Sequence, residues 1–212
     1  MSAALTPEVV LQAYRMGVFP MAAQRDDPRL YWFDPEDRGI LPLRGFHLSR
    51  SLRRRFRAPG LRATLNADFS GVMAGCARRR ETWINAEIVR LFMELNAQGH
   101  AHSLEVWEGD ALAGGVYGLA IGGVFCGESM FSNRRDGSKL ALAWLVAHLD
   151  ACGFVLFDTQ YLTDHLASLG GVAIPRATYH ARLRQALGVD ADILRRPLPA
   201  AYEVVQFNTQ TS

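Results

Sequence analysis

The chain of 212 residues contains almost no lysine: Lys139 is the single one among 23 basic residues, so its positive charge is carried by arginine. Cysteine is nearly as scarce. Cys76, Cys126 and Cys152 are far apart and odd in number, which excludes a disulfide framework and any paired-cysteine metal or redox motif and leaves reduced core residues. No apolar run approaches the ~18 residues of a membrane span. The N-terminus, M-S-A-A-L-T-P-E-V-V, lacks a basic region followed by an apolar block, so no signal peptide is expected and the protein is placed in the cytoplasm. His100 and His102 find no third ligand at a convincing spacing, and no metal is expected. His102 and His165 are read as structural hydrogen-bonders. The nucleophile elbow G-x-S-x-G is missing, which argues against a triad of Ser129, His165 and Asp158.

A further absence is local. Between Arg38 and Ala67 there is no Asp or Glu, while eight arginines fall there (38, 44, 50, 53, 54, 55, 57 and 62). Arg78, Arg79 and Arg80 form a second cluster. Net charge is only +2, so the distribution rather than the total points to a phosphate-bearing partner. A hydrophobic content of 49% with 21% charged residues is that of an ordinary soluble globular protein.

Thr6 caps a helix over residues 6–17, with Pro7 at its first position. Leu30 to Leu43 is aromatic and proline-punctuated, which predicts short strands and turns. Residues 1–48 are thus expected to form a small N-terminal α+β domain. Residues 49–60 are expected to form a basic linker with a short helix, opening a second domain that runs to residue 212. Periodicity in that domain predicts strand, helix, helix, three-stranded meander, helix, strand, short helix, strand and a final helix over 176–187. A meander followed by a crossover helix requires a mixed sheet. The class is α+β, and the order of elements is similar to the N-acetyltransferase superfamily. The stretch from Gly122 to Lys139 holds a lone acid, Glu128, inside an apolar strand, then an Arg-rich turn before a helix. It is read as the floor of an active site, with turn amides suited to an anion.

Ten short motifs occur in order: G-x-F-P-M at Gly17, Y-W-F-D-P-E-D-R at Tyr31, F-H-L-S-R-S-L at Phe46, T-W-I at Thr82, G-H-A-H-S-L-E-V-W at Gly99, G-G-V-Y-G at Gly114, G-E-S-M-F-S at Gly127, G-S-K at Gly137, D-T-Q at Asp158 and H-L-A-S-L-G at His165. Together they resemble the bacterial leucyl/phenylalanyl-tRNA–protein transferases over about residues 12–185. The resemblance implies transfer of Leu or Phe from aminoacyl-tRNA to the α-amino group of an N-terminal Arg or Lys. That step marks the acceptor protein for degradation by the N-end rule pathway. It also implies a small N-terminal domain, a C-terminal acetyltransferase-like domain and no coenzyme A or other cofactor. The segment at Phe33–Asp34 departs from the family's more usual Trp-Ser-Pro.

Coenzyme A-dependent members of the fold place pyrophosphate on a [QR]-x-x-G-x-[GA] turn; here Arg134 to Lys139 ends in a long lysine, which crowds that approach. Aminolysis of an ester needs a positioned amine, a proton acceptor and a stabilised intermediate. Asp158, at the end of a short apolar strand, is expected to orient Gln160, whose carbonyl accepts from the amine; the resemblance points to the same two positions. Glu128 is expected to hold the cationic acceptor. Trp32, Trp83, Phe125, Met130 and Phe157 are candidates for an apolar side-chain pocket, with Val116 and Leu145 at pocket positions of the resemblance. Arg50, Arg53, Arg54, Arg55, Arg57, Arg62, Arg78, Arg79, Arg80 and Lys139 are expected to hold the tRNA by its phosphates. A monomer is expected. Two other readings remain at this point: an acyl-CoA-dependent N-acyltransferase on the same fold, and a non-catalytic module that binds RNA or protein N-termini.

Overall fold

A computed structural model describes residues 5–79 and 81–210. Helix α1 (Pro7–Arg15) begins where its signals lie, with the Thr6 hydroxyl accepting from the Val9 amide, and buries Val10, Leu11 and Tyr14. Strands β1 (Phe19–Met21) and β2 (Tyr31–Phe33) pair antiparallel. Strand β3 (Asp37–Ile40) leads to the basic helix α2 (Arg50–Arg55), capped by Ser49. There follow β4 (Leu61–Leu65), α3 (Phe69–Ala77) and α4 (Ala86–Ala97), the last capped by Asn85 on the Ile88 amide. The meander is β5 (Ala101–Glu108), β6 (Ala111–Ile121) and β7 (Val124–Ser132). Then come α5 (Gly137–Ala151), β8 (Leu156–Gln160), α6 (Asp164–Ala167), β9 (Val172–Pro175) and α7 (Arg176–Leu187). Helix α8 (Ala201–Gln210) corrects the expectation that α7 is the last. It packs on α5 through buried Val204, and Asn208 donates to the Ala143 carbonyl.

Seven strands form one mixed sheet in the order β4-β5-β6-β7-β8-β3-β9. Only the β7–β8 pair is parallel; the rest are antiparallel. Strand β3 lies between β8 and β9 and bonds to both, so the boundary read at residue 48 leaves part of the large sheet on the N-terminal side. The reason is edge pairing: without β3, neither β8 nor β9 would have a partner on its facing edge. The basic segment after it is likewise anchored, with Leu52 and Phe56 buried against α5.

Both faces of the sheet are covered. One apolar layer lies under α2, α5 and α8, the other under α1, α3, α4 and α7. Helix α5 is apolar nearly all round because sheet, α2 and α8 enclose it. Its start is pressed onto the meander: a Cβ on Gly114 would meet the Gly137 carbonyl carbon at 2.5 Å, so glycine is required where helix and strand touch.

Candidate active site

The site exists because β7 and β8 part. Their parallel pairing covers Val124–Leu156, Phe125–Phe157 and Cys126–Asp158, and stops there. Just beyond, β7 carries a bulge: Tyr117 faces Ser129 while Gly118 faces Gly127, leaving Glu128 as the extra residue. A cleft of about 560 Å³ opens in the gap, lined by Phe19, Met21, Arg79, Trp83, residues 128–132, Ser138, residues 159–161, Thr163, His165 and Leu166. A smaller cavity of about 80 Å³ adjoins it, walled by Val116, Gly127, Leu142, Phe157 and Leu166. Glu128, Ser129, Met130, Thr159, Gln160 and Leu166 line both.

Two carboxylates sit under this junction in different settings. Asp158 is 0% exposed. Arg38 grips it through Nε at 2.8 Å and Nη2 at 2.7 Å, the Tyr179 hydroxyl donates at 3.0 Å, and the Gln160 backbone amide donates at 2.9 Å. Arg38 is fully buried, gives its remaining nitrogen to the Gly17 carbonyl, and lies between the rings of Phe19 and Tyr179. Burial opposes its charge, but the Asp158 hydrogen bonds win and hold its pKa above the ordinary value. Arg38, the first of the eight arginines in the acid-free stretch, is therefore a core counterion. Asp158 does not orient the Gln160 carboxamide. It holds the backbone of Gln160, which adopts the left-handed φ of 58°. Gly39 makes room for that turn: a Cβ there would meet the Tyr161 carbonyl carbon at 2.5 Å.

Among the described residues, Glu128 has no cation in hydrogen-bond reach. Its Oε1 accepts from the Tyr14 hydroxyl at 2.7 Å and from Gln160 Nε2 at 3.0 Å. Burial pushes its pKa up to about 8, partly opposed by the Tyr14 hydrogen bond. Tyr14, Arg38 and Tyr179 were missed as site residues. They come from α1, β3 and α7, and only the D-R-G-I stretch carried a signal, an arginine entering an apolar strand.

Of the expected pocket residues, Trp83 and Met130 line the cleft, and Val116, Met130 and Phe157 line the small cavity. Phe125 lies behind, edge-on to Phe157 at 5.4 Å, and Leu145 is buried in the α5 core. Neither lines a cavity, because Phe125 lies within the paired part of β7 and Leu145 is enclosed in the core around α5. Trp32 is 40% exposed on β2 and pairs with Pro20 outside both cavities.

The arginines form two groups. Arg79 lines the cleft, its guanidinium donating to the Met130 carbonyl at 2.8 Å; Lys139 lies near His165 at the rim and pairs with Asp136 at 3.7 Å. On the other side of the turn, Arg54, Arg55 and Arg135 line a depression beside α2, with Arg55 paired to Glu108. Arg50, Arg54, Arg57 and Arg78 are exposed, Arg53 donates to the Leu48 carbonyl, and Arg62 stacks on Trp107. Arg80 lies outside the described residues. The turn itself is not an open amide nest. The Gly137 amide donates to the Arg134 carbonyl and the Ser138 amide to the Ser132 hydroxyl. Within the anion-binding floor expected from Arg134–Lys139, the amides of Arg134, Gly137 and Ser138 are thus taken up internally.

The leucyl/phenylalanyl-tRNA protein transferase family matches residues 40–184, and the N-terminal domain of the same family matches residues 3–36. The chain is 57% identical over 208 residues to the leucyl/phenylalanyl-tRNA–protein transferase of Roseobacter denitrificans, covering 98% of this chain and 99% of that one. It is 58% identical over 212 residues to that of Cereibacter sphaeroides, covering 99% and 98%. With that of Paracoccus denitrificans it shares 53% over 212 residues and the full length of both. Among solved structures, L-PGS from Bacillus licheniformis aligns with a TM-score of 0.44 at 13% identity, over 74% of this chain and 59% of that one, too low a likeness to bear on the fold.

Proposed function

The chain belongs to the leucyl/phenylalanyl-tRNA protein transferase family, and from that premise we propose how its cleft carries out the transfer. The protein is an aminoacyltransferase that moves Leu or Phe from aminoacyl-tRNA to a protein. Its acceptor is the α-amino group of an N-terminal Arg or Lys, and the product is marked for degradation. The observation that carries this reading is the Glu128–Gln160 pair at the junction of a large cleft with a small apolar cavity. The cavity takes the Leu or Phe side chain, with Met130 adapting to either shape. The cleft takes the tRNA end, and Trp83 and Arg79 offer a stacking face and a cation there.

The acceptor arrives as an ammonium whose ordinary pKa is ~7.7–8.0. Glu128, raised by burial to about 8, is matched to it, so proton exchange between the two is close to even. In its carboxylate form Glu128 holds the cationic acceptor, and taking a proton from the ammonium leaves Glu128 as the neutral acid and the amine free to attack. Gln160 donates to Glu128 by its nitrogen, which leaves its carbonyl oxygen as an acceptor for the attacking amine. Arg38, Asp158 and Tyr179 are positioning residues that hold Gln160 in its left-handed turn. The exposed arginines of α2, with Arg78–Arg80 and Lys139, guide the acceptor stem.

The parting of β7 and β8 supports an acetyltransferase-like arrangement for the chain after residue 48. The occupied amides of Gly137 and Ser138 disfavour pyrophosphate on the turn and hence the coenzyme A reading. The enzyme acts as a cytoplasmic monomer without a cofactor; among the described residues no helix is long and apolar enough to cross a membrane. The test is incubation with labelled leucyl-tRNA and a peptide beginning with Arg, beside the same peptide acetylated. Label is expected on the free peptide alone; none on it overturns the reading, and equal label on both overturns the α-amino acceptor.

A further inference from the structure

Strands β1 and β2 form a two-stranded sheet of three residues each, apart from the large sheet. A ribbon that small is not stable by itself in water, so its place is set by what it is fastened to. That place matters to the site, because Phe19 and Met21 of β1 line the cleft. At the loop end of the ribbon, Arg25 donates to the Ala77 and Arg79 carbonyls, and Asn85 donates to the Asp27 carbonyl. At its base the fastening is a pair of titratable side chains. Asp34, the residue after β2, accepts from His180 Nε2 of α7 at 3.0 Å. Among the described residues this is the only hydrogen bond that either side chain makes. The other carboxylate oxygen, Oδ1, is buried without a hydrogen-bond partner, 3.9 Å from Arg38 Nη1.

The His180 ring also covers the corner between α1 and β1. A Cβ on Gly17 would meet its Cε1 at 2.7 Å, and Gly17 has a φ of 85°, so glycine is what lets ring and corner meet. The Gly17 carbonyl in turn accepts from Arg38 at 2.9 Å. From Asp34 the fastening passes to the cleft through rings. Phe33 pairs with Phe19 across the ribbon, their rings stacked at 6.0 Å, and Phe19 meets Tyr161, a cleft residue, edge-on at 5.7 Å. We propose that Asp34 and His180 are a positioning pair that holds the β1–β2 ribbon against the cleft, so that Phe19 and Met21 stand in place before the tRNA end arrives; this inference rests on the aminoacyl-transfer reading above. Neither Asp34 nor His180 lines the cleft or the small cavity, so the pair acts through the wall it holds. That wall meets the bound tRNA end alike before and during reaction, so its loss should raise KM and leave kcat.

The test measures transfer from labelled leucyl-tRNA to an Arg-initiated peptide for wild type, Asp34→Ala, His180→Leu, the double variant and His180→Gln. Each single loss should raise KM for leucyl-tRNA about tenfold with kcat within about twofold. The double variant should be no worse than either single one, since both remove the same bond. His180→Gln keeps a donor for the carboxylate and should stay within about threefold of wild type. Asp34→Ala only removes a half-buried side chain, so it reads the pair even if His180→Leu fails to fold. A KM within about twofold of wild type in Asp34→Ala, losses that multiply to about 100-fold in the double variant, or glutamine no better than leucine would each overturn the pair. So would a fall in kcat at unchanged KM. If wild type itself transfers no label, it is the aminoacyl-transfer reading that fails, which keeps the two outcomes apart.

Discussion

Glu128 and Asp158 lie on neighbouring strands, Asp158 fully buried and Glu128 at the wall of the cleft, and they are provisioned differently. Asp158 receives four donors, two from a guanidinium. Glu128 receives two neutral donors and no cation. A buried carboxylate matched by a cation has its charge settled and serves as framework. One left unmatched is held near neutrality by desolvation and remains open to a cation from outside. In the proposed mechanism two acids a strand apart divide the work, and the difference in their partners follows from which helix or strand lies beneath each.

The strongest way to break this contrast is to remove the matched cation. Arg38→Met should cost about 3–5 kcal/mol in urea unfolding because Asp158 is stranded, and Arg38→Met with Asp158→Leu should regain most of it. Equal stability of the single variant and wild type would show that Asp158 is not framework. Glu128→Gln should keep the fold and lower transfer by about 100-fold. It should also change the pH dependence of stability. Folded Glu128 keeps its proton up to about pH 8, whereas the unfolded group releases it near 4.5. Its contribution is therefore full below 4.5 and is lost as pH rises through 8. The melting temperature of the variant should gain on wild type steadily between pH 5 and pH 8 and then level off; parallel curves would mean that Glu128 is not strained. Tyr14→Phe removes the bond that holds the Glu128 pKa down, so the rate profile should shift to higher pH with about tenfold lower kcat/KM at pH 7; an unshifted profile would uncouple the pair. The smallest effect concerns the surface. Replacing Arg50 and Arg54 by Glu should flatten the salt dependence of tRNA binding by about one to two units of slope, and an unchanged slope would take α2 out of the interface.

Much of the fold was legible because local chemistry agreed with it. Thr6, Ser49, Asp68 and Asn85 all cap helices, alternation marked the meander, and a long apolar run ending at Gly153 marked α5. The place of β3 was not, since D-R-G-I is too short to say which edge it joins. Helix α8 follows a loop broken by Pro197 and Pro199, and its apolar face is short, built on Ala201, Val204 and Val205. In the site, the odd acid at Glu128 and the pair at Asp158 and Gln160 were visible as residues. Their division of labour was not, because it depends on a bulge that re-aims Glu128 and on an arginine 120 positions from Asp158.

The position of β3 also sets a timetable. Strand β3 leaves the ribosome early, but its partners β8 and β9 and the Tyr179 hydroxyl come from residues 156–179. Until those emerge, Arg38 lacks Asp158, the carboxylate that grips it by two nitrogens, and Gln160 has no turn to occupy. A growing chain therefore has no working cleft while it remains tethered among charged tRNAs, and the enzyme becomes competent only when nearly finished.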